Sequence, residues 1–151
     1  MATGGACYSE RIMKMMQETL SVATKGKGFH DLTARVRSVV AKSGVTTGLC
    51  TLFVQHTSAS LLIQENADPS VLRDLARWLE NLAPERASAY EHDAEGPDDM
   101  PSHLKSTVTR TSESVPIVNG ALALGTWQAI YLVEHRKAPH ERRIVAHVAG
   151  V

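Results

Sequence analysis

The chain is poor in cysteine and carries no excess of either charge. Cys7 and Cys50 are the only cysteines among 151 residues, and they form neither a CxxC metal motif nor a disulfide framework. This usage is typical of a reducing compartment, so we expect a cytoplasmic protein. Sixteen Lys and Arg residues balance sixteen Asp and Glu residues. The balance argues against a nucleic-acid-coating or membrane-surface protein, because neither has a neutral electrostatic footprint.

Long apolar runs are also missing. No segment approaches the roughly 18 apolar residues that cross a bilayer, so no membrane association is predicted. The first residues, MATGGACYSERIMKMMQ, lack the continuous apolar segment of a signal peptide and show no apolar period. We therefore predict a flexible N-terminal extension over residues 1–16 and a single domain over residues 17–151.

The glycine-rich and nucleophile motifs of several enzyme classes do not occur. Neither a Walker A loop nor GxGxxG is present, which argues against nucleotide binding by a glycine loop. Ser58 and Ser60 lie outside any GxSxG context, which argues against a serine nucleophile.

The patterns that are present predict both helices and strands. TLSVAT, residues 19–24, and residues 48–58 alternate like strands, and the second run would place Leu52, Val54, His56 and Ser58 on one face. A first helix is predicted within FHDLTARVRSVVAKSG, with Asp31 or Thr33 as its cap and Gly44 at its end.

A second helix is predicted within DPSVLRDLARWLENLAP, where Asp68 is a good N-cap and Pro69 suits the first turn. Its apolar stripe consists of Val71, Leu75, Trp78, Leu79 and Leu82. Asp68 can therefore be a cap and nothing more.

The second half of the sequence predicts a long loop and then strands. Residues 86–103 are rich in acids and proline, and a loop of this length is usually functional or disordered. STVTR is β-prone, SVPIV-NG-ALALG predicts a hairpin that turns at Asn119-Gly120, and GTWQAIYLVEH with RRIVAHVAG predicts a second hairpin. Mixed helices and strands without βαβ alternation indicate an α+β domain with a largely antiparallel sheet and two main helices.

Three histidines stand out as candidates for chemistry. His56 ends an apolar strand, His92 lies in YEHD, and His103 ends DDMPSH. Imidazoles bind metals and transfer protons near neutral pH, and the nearby carboxylates of Asp93, Asp98 and Asp99 can join or orient them. Each feature also has a structural explanation, since His56 can be a satisfied strand-end residue and the acids can be solvated. Their combination is what favours a site.

Three segments, in order, resemble the YjbQ family, whose members are labelled secondary thiamine-phosphate synthases. They are HTSASLLIQENADPSV, YEHDAEGPDDMPSHLKS and LGTWQAIYLVEHR, within a likeness that runs from about Gln17 to Val151. The family positions, as they stand in this chain, are His56, Ser58, Ser60, Glu65, Asn66, Asp68, His92, Asp93, Asp98, Asp99, His103, Ser106, Thr126, Trp127, Gln128 and Glu134. Ser102 stands where a small residue such as alanine is usual.

The resemblance implies a small α+β protein with a β-sandwich-like core, assembled as a homotrimer with polar motif residues near the subunit boundaries. It further implies a transferase that joins an aminopyrimidine pyrophosphate to a thiazole phosphate, as a weak or side activity. On that basis His56, His92 and His103 would be catalytic. Metal ligands would come from these three histidines and from Asp93, Asp98 and Asp99.

The substrate would be a phosphorylated or planar metabolite, and the cofactor a divalent ion, either Mg²⁺ or Zn²⁺. Trp127 is a candidate for stacking on a flat ring, although a tryptophan in the core is the more common case. Lys105 and Arg110 are candidates for contacting phosphate. The remaining expected substrate contacts are Ser58, Ser60, Asn66, Asp68, Ser106, Gln128 and Glu134. Two other readings stay open, namely a metal-dependent hydrolase or lyase with a histidine-rich site and a trimeric protein that only binds a small ligand.

Overall fold

The fold is an α+β domain in which two antiparallel sheets enclose one apolar core. A computed structural model describes residues 12–85 and 90–151. Within them the elements are β1 (Lys14–Thr24), β2 (Gly28–Asp31), α1 (Thr33–Ser43), β3 (Thr47–Val54), β4 (Ala59–Glu65), α2 (Pro69–Leu82), α3 (Asp99–Val108), β5 (Ser112–Val118), β6 (Ala121–Leu122), β7 (Gln128–Glu134) and β8 (His140–Gly150). The expected α+β class with antiparallel strands is confirmed.

The strand order explains where the core lies. Five strands form one sheet in the order β1-β8-β3-β5-β6, and three form the other in the order β2-β7-β4. β7 is buried along almost its whole length because it is the central strand of the smaller sheet. Helix α1 contacts strands of both sheets and buries Val36, Val39 and Val40. Apolar side chains of both sheets and of α1 therefore share one core.

Local chemistry accounts for several element ends. Asp31 Oδ1 accepts a hydrogen bond from the Thr33 amide at the start of α1, and Gly44 adopts the left-handed conformation that ends it. Asp68 accepts a hydrogen bond from the Ser70 amide and caps α2, as predicted. Asn119 and Gly120 both have positive φ, at 51° and 76°, which is the type I′ turn that joins β5 to β6.

Two predicted strands have different limits in the structure. β1 begins at Lys14, so residues 14–16, assigned above to the extension, pair with β8. Residues 1–11 lie outside the described residues. β3 ends at Val54, so His56 and Ser58 lie in the connection to β4 rather than on the strand. β4 itself was missed, since SLLIQE alternates poorly where both faces of the strand are covered.

Two further predictions were wrong. The segment STVTR does not form a strand, because α3 continues to Val108, and His103 lies on this third helix instead of at the end of a loop. GTWQAIYLVEH and RRIVAHVAG form β7 and β8, but these strands belong to different sheets and do not pair. Strand propensity identified both strands, whereas their partners depend on contacts far away in the sequence. Residues 86–89 of the predicted loop lie outside the described residues.

Among the described residues, no helix is long and apolar enough to cross a membrane.

Candidate functional site

Two histidines and one carboxylate converge at the start of α3. We call His92, Asp99 and His103 the donor triad, because one ligand atom from each lies within 4.8 Å of the other two. His92 Nε2 lies 2.7 Å from Asp99 Oδ2, and His103 Nε2 lies 3.5 Å from the same oxygen. Asp99 and His103 are four positions apart on α3 and so share one helical face. The loop before α3 carries His92 to that face.

The triad combines a buried acid with accessible imidazoles. The Asp99 side chain is 3% exposed, whereas those of His92 and His103 are 50% and 33% exposed. The two imidazole rings meet edge to face, with centroids 5.4 Å apart. A small pocket of about 190 Å³ beside them is lined by Tyr90, His92, Asp93, Gly96 and Pro97. A ligand can therefore reach the imidazoles from solvent while Asp99 stays fixed.

Arg136 holds the acids of this region in place. Its guanidinium donates to Asp99 Oδ1 and to the carbonyl oxygen of Glu95, and its Nε lies 3.4 Å from Asp98 Oδ2. The Lys137 amide also donates to Asp98 Oδ2, at 2.7 Å. Burial alone would raise the pKa of Asp98, but the Lys137 amide and the charge of Arg136 hold that pKa below its usual value. Asp98 is therefore committed to these partners, which leaves Asp99 to the triad.

His56 does not join this cluster, contrary to the expectation. Its Nε2 accepts the Arg143 amide at 2.9 Å, and its Nδ1 lies 3.4 Å from Arg142. Burial and then the charges of Arg142 and Arg143 lower the pKa of His56. It lines a separate groove of about 510 Å³ together with Phe53, Val54, Gln55, Thr57, Ser58, Thr111 and Arg142. Asp93 and Asp98 are likewise outside the donor triad that the described residues form.

Buried polar groups connect this groove to the sheet. Glu134 forms a two-point ion pair with Arg142, at 2.6 and 2.7 Å, and accepts a hydrogen bond from Thr24 at 2.8 Å. Arg142 also donates to Ser58 Oγ at 3.1 Å. Burial opposes ionisation of Glu134, but the hydrogen bonds from Arg142, Arg136 and Thr24 keep its pKa below the usual value. Glu134 and Ser58 thus have structural partners rather than an open face.

A second buried set surrounds His135. Its Nε2 lies 2.8 Å from Ser60 Oγ, which also accepts a hydrogen bond from Thr109 at 2.7 Å. Burial, and after it the charge of Lys105, lowers the pKa of His135 to about 4. The ring is therefore neutral near pH 7. Ser60 is fully buried, so it serves this network and is closed to a substrate.

The predicted substrate residues separate along β4 and β7. These strands pair antiparallel, with Ala59 opposite Glu134 and Glu65 opposite Gln128. Ser58, Ser60 and Glu134 therefore lie at one end of the pair. The other end, roughly 20 Å away along a seven-residue strand, carries Glu65, Asn66, Asp68, Thr126, Trp127 and Gln128.

At that second end Trp127 is 63% exposed, and its carbonyl oxygen accepts the Asn66 amide at 2.9 Å. It is not a core tryptophan. Gln128 Oε1 accepts the Gly125 amide and so fixes the preceding turn. Ser106 Oγ donates to the Ser102 carbonyl oxygen within α3. Arg110 is exposed beside Glu113, whereas Lys105 is 1% exposed beside Glu80.

Comparison with known proteins gives the family. The profile described as "UPF0047 protein YjbQ-like" matches residues 18–151. A UPF0047 protein of Synechocystis is 54% identical over 142 residues, which cover 94% of this chain and 97% of the relative. The chain belongs to the YjbQ-like UPF0047 family. The family's YjbQ protein from Escherichia coli O157:H7 is 44% identical over 89% of this chain and 97% of its own.

Solved structures of the family share the fold. A YbjQ-like protein of unknown function from Sulfolobus solfataricus P2 superposes with a TM-score of 0.85 at 27% identity, covering 93% of this chain and all of that one. A YjbQ/UPF0047 protein from Clostridium acetobutylicum gives 0.74 at 34% identity, covering 86% and 97%. The predicted family membership is confirmed, and the domain extends over nearly the whole length of these relatives.

Sequence reasoning found all three members of the donor triad but missed their supports. Arg136, Lys137 and Arg142 hold the acids and the polar loop, and neither they nor His135 were among the predicted site residues. The available signal was EHRKAPHERR, a run of ten residues that contains four Lys or Arg and lies between two apolar segments. Charges next to a buried strand often pair with acids from elsewhere, but the run does not say which acids.

Proposed function

We propose that this protein is a metal-dependent enzyme acting on a small molecule, with His92, Asp99 and His103 as the ligands of a divalent cation. The observation that carries the proposal is the convergence of three ligand atoms around Asp99 Oδ2. Two imidazoles and one carboxylate, with further positions open to solvent, are the ligand set of many catalytic zinc sites.

The donor triad fits such a cation with little rearrangement. Ligand atoms around a tetrahedral cation with bonds of about 2.0 Å lie about 3.3 Å apart. In the protein two of the donor–donor distances are 2.7 and 3.5 Å. His92 lies on a loop and can move outward, while Asp99 and His103 are fixed on α3.

The chain's own residues prepare the site. Arg136 orients Asp99 by donating to Oδ1, which leaves Oδ2 facing both imidazoles. The open pocket beside His92 admits a substrate. A bound divalent cation would supply a Lewis acid that polarises a substrate oxygen.

The reaction remains a choice between two candidates. The resemblance favours joining of an aminopyrimidine pyrophosphate to a thiazole phosphate, and the exposed Trp127 ring offers a stacking surface for a pyrimidine. The histidine-rich ligand set instead favours a hydrolase or lyase. Trp127 lies at the far end of β7 from the segment that holds Asp99, so within one chain the two cannot contact the same small substrate.

Metal analysis tests the cation site. We expect the purified protein to bind about one Zn²⁺ per chain, and His92→Ala and His103→Ala each to abolish this binding. His147→Ala is the matched control, since His147 lies on β8 and its ring contacts Gln17. Binding that survives both triad substitutions would overturn the site.

Activity assays then separate the reactions. Formation of thiamine phosphate that depends on Mg²⁺ would support the transferase, whereas turnover of ester or lyase substrates by the zinc form would support the alternative. A protein that binds ligands without turnover in any assay would contradict both and leave a binding protein.

We also propose that the chain forms a homotrimer. Support comes from apolar side chains that the single chain leaves uncovered. Trp78 and Leu82, on the amphipathic helix α2, are 53% and 48% exposed. Apolar area of this kind is typical of surfaces that are covered in an assembly.

A further inference from the structure

A second cavity lies away from the donor triad and is walled by apolar side chains. Its volume is about 560 Å³, within the range of small-molecule sites. Phe29, Ala76, Leu79, Pro84 and Val133 supply the apolar wall. This wall suits the body of a compact organic molecule rather than a bare ion.

Charged side chains form a connected network of ion pairs on the cavity lining. Lys105 donates to Glu80 at 2.6 Å, and Lys27 contacts the same carboxylate at 3.0 Å. Lys27 also donates to Glu85 at 2.7 Å, and Lys137 reaches Glu85 from the rim at 2.5 Å. Each carboxylate is thus shared by two ammonium groups, so three positive charges face two negative ones.

The other acid on the lining does not correct this excess. Glu134 already forms a two-point ion pair with Arg142. Lys105, at 1% exposure, is shielded from water, and Lys27 is only 22% exposed. A buried charge that shares its counterion is costly, and a further anion nearby reduces that cost. An ammonium group has three donor hydrogens, so it can bind a further anion as well as its carboxylate partners.

The cavity and the donor triad lie on different sides of α3. His103 and Lys105 are two positions apart on this helix, so their side chains point in nearly opposite directions. The segment after β7 alternates in the same way, since His135 and Lys137 line the cavity while Arg136 contacts Asp99. The triad region has the opposite imbalance, with Asp98 and Asp99 facing the single guanidinium of Arg136.

We propose that this cavity binds a small organic anion, with Lys27 contacting its carboxylate or phosphate group, the buried Lys105 adding positive charge from the same lining, and the wall at Phe29 and Leu79 contacting its apolar body. The site is separate from the cation site and does not depend on it. An anion placed there balances the excess positive charge of the ion-pair network. It also favours the charged form of Lys105, whose pKa burial lowers.

Four fluorinated aromatic probes of similar size test the proposal by ¹⁹F NMR titration of the full chain. They are 4-fluorobenzoate, 4-fluorophenyl phosphate, 4-fluorobenzyl alcohol and 4-fluorobenzylamine. We expect at least one anion to bind ~tenfold more tightly than the alcohol and the amine, and the preferred anion identifies the group as carboxylate or phosphate. Equal binding of all four, or no binding of either anion, would overturn the proposal.

Variants that remove a positive or a negative charge separate specific anion binding in the cavity from a general effect of net charge. Lys27→Met should reduce the anion preference to within about twofold of the alcohol, while Lys25→Met, at an exposed neighbouring position, should leave it unchanged. Glu85→Gln should tighten anion binding several-fold, since it removes a competing carboxylate. A loss in Lys25→Met equal to that in Lys27→Met, or weaker anion binding in Glu85→Gln, would contradict the site.

Two arms distinguish this site from the cation site. Anion binding should persist in His103→Ala and after treatment with a chelator, because neither alters the cavity. If both treatments abolish anion binding, the anion binds at the triad and the cavity proposal is wrong.

Discussion

His92 Nε2 lies 2.7 Å from Asp99 Oδ2, although the two residues belong to a loop and a helix. Asp99 is buried and its other oxygen accepts from Arg136, so the carboxylate has one fixed orientation. Groups that orient a metal-binding side chain contribute to affinity without touching the metal. The first prediction follows from this contact.

Arg136→Gln should weaken zinc binding by roughly 10- to 100-fold, because Asp99 loses the donor that directs Oδ2 toward the imidazoles. Competition with a fluorescent chelator measures the change. Arg136→Lys should restore part of the affinity. Arg77→Gln, which removes an exposed arginine paired with Asp74, is the control and should have no effect. Unchanged affinity in Arg136→Gln would show that Asp99 needs no such support.

His135 predicts a pH dependence of stability. Its pKa is about 4 in the folded protein, below the usual value of 6.5, because burial disfavours the charged ring. Between these two pH values the unfolded chain binds more protons than the folded protein. The contribution of His135 to the free energy of unfolding is therefore complete above pH 6.5 and is lost as the pH falls toward 4. The slope from this one group is at most about 1.4 kcal/mol per pH unit.

Urea unfolding at pH 7 and pH 5 checks this effect. His135→Gln keeps a polar group near Ser60 but cannot titrate, so its stability should fall less between the two pH values than that of the unchanged protein. His56, whose pKa is also lowered, contributes in the same direction, and His56→Gln serves as the comparison. An equal fall with and without His135 would contradict the prediction.

The ion pair between Glu134 and Arg142 should be sensitive to removal of one partner. Both side chains are buried, so Arg142→Met leaves an unpaired carboxylate and should reduce the free energy of unfolding by about 3–5 kcal/mol. The exposed pair of Asp74 and Arg77 is the control, and Arg77→Met should change stability by less than about 1 kcal/mol. Denaturation midpoints measure the loss of stability in both variants. A loss in Arg142→Met as small as that in Arg77→Met would show that Arg142 is dispensable for stability.

If α2 lies at a contact between subunits, substitutions on its exposed apolar side chains should change the oligomeric state. The unchanged chain should sediment as a trimer at micromolar concentration. Leu82→Glu should shift it toward monomers, because the substitution places a charge on an uncovered apolar surface. Asn81→Glu, at the adjacent exposed position, is the control for added charge. Sedimentation of the unchanged chain as a monomer would contradict the trimer.

Residue order alone determined the local features of this protein. The Asp68 cap, the stripe on α2 and the Asn119-Gly120 turn follow from contacts within a few residues, so propensity and periodicity are enough to predict them. The same reasoning proposed a wider set, His56, His92 and His103 with Asp93, Asp98 and Asp99, and the three that converge in the structure lie within one acid-rich segment.

Only the tertiary structure decided which distant residues meet. It separated β7 from β8, placed His56 beside Arg142 and Arg143 instead of His103, and joined Lys105 and Lys27 to Glu80. These contacts span from 25 to 87 positions. They depend on how two sheets pack around a shared core, where many pairings satisfy the same local pattern and the burial of the whole chain selects one.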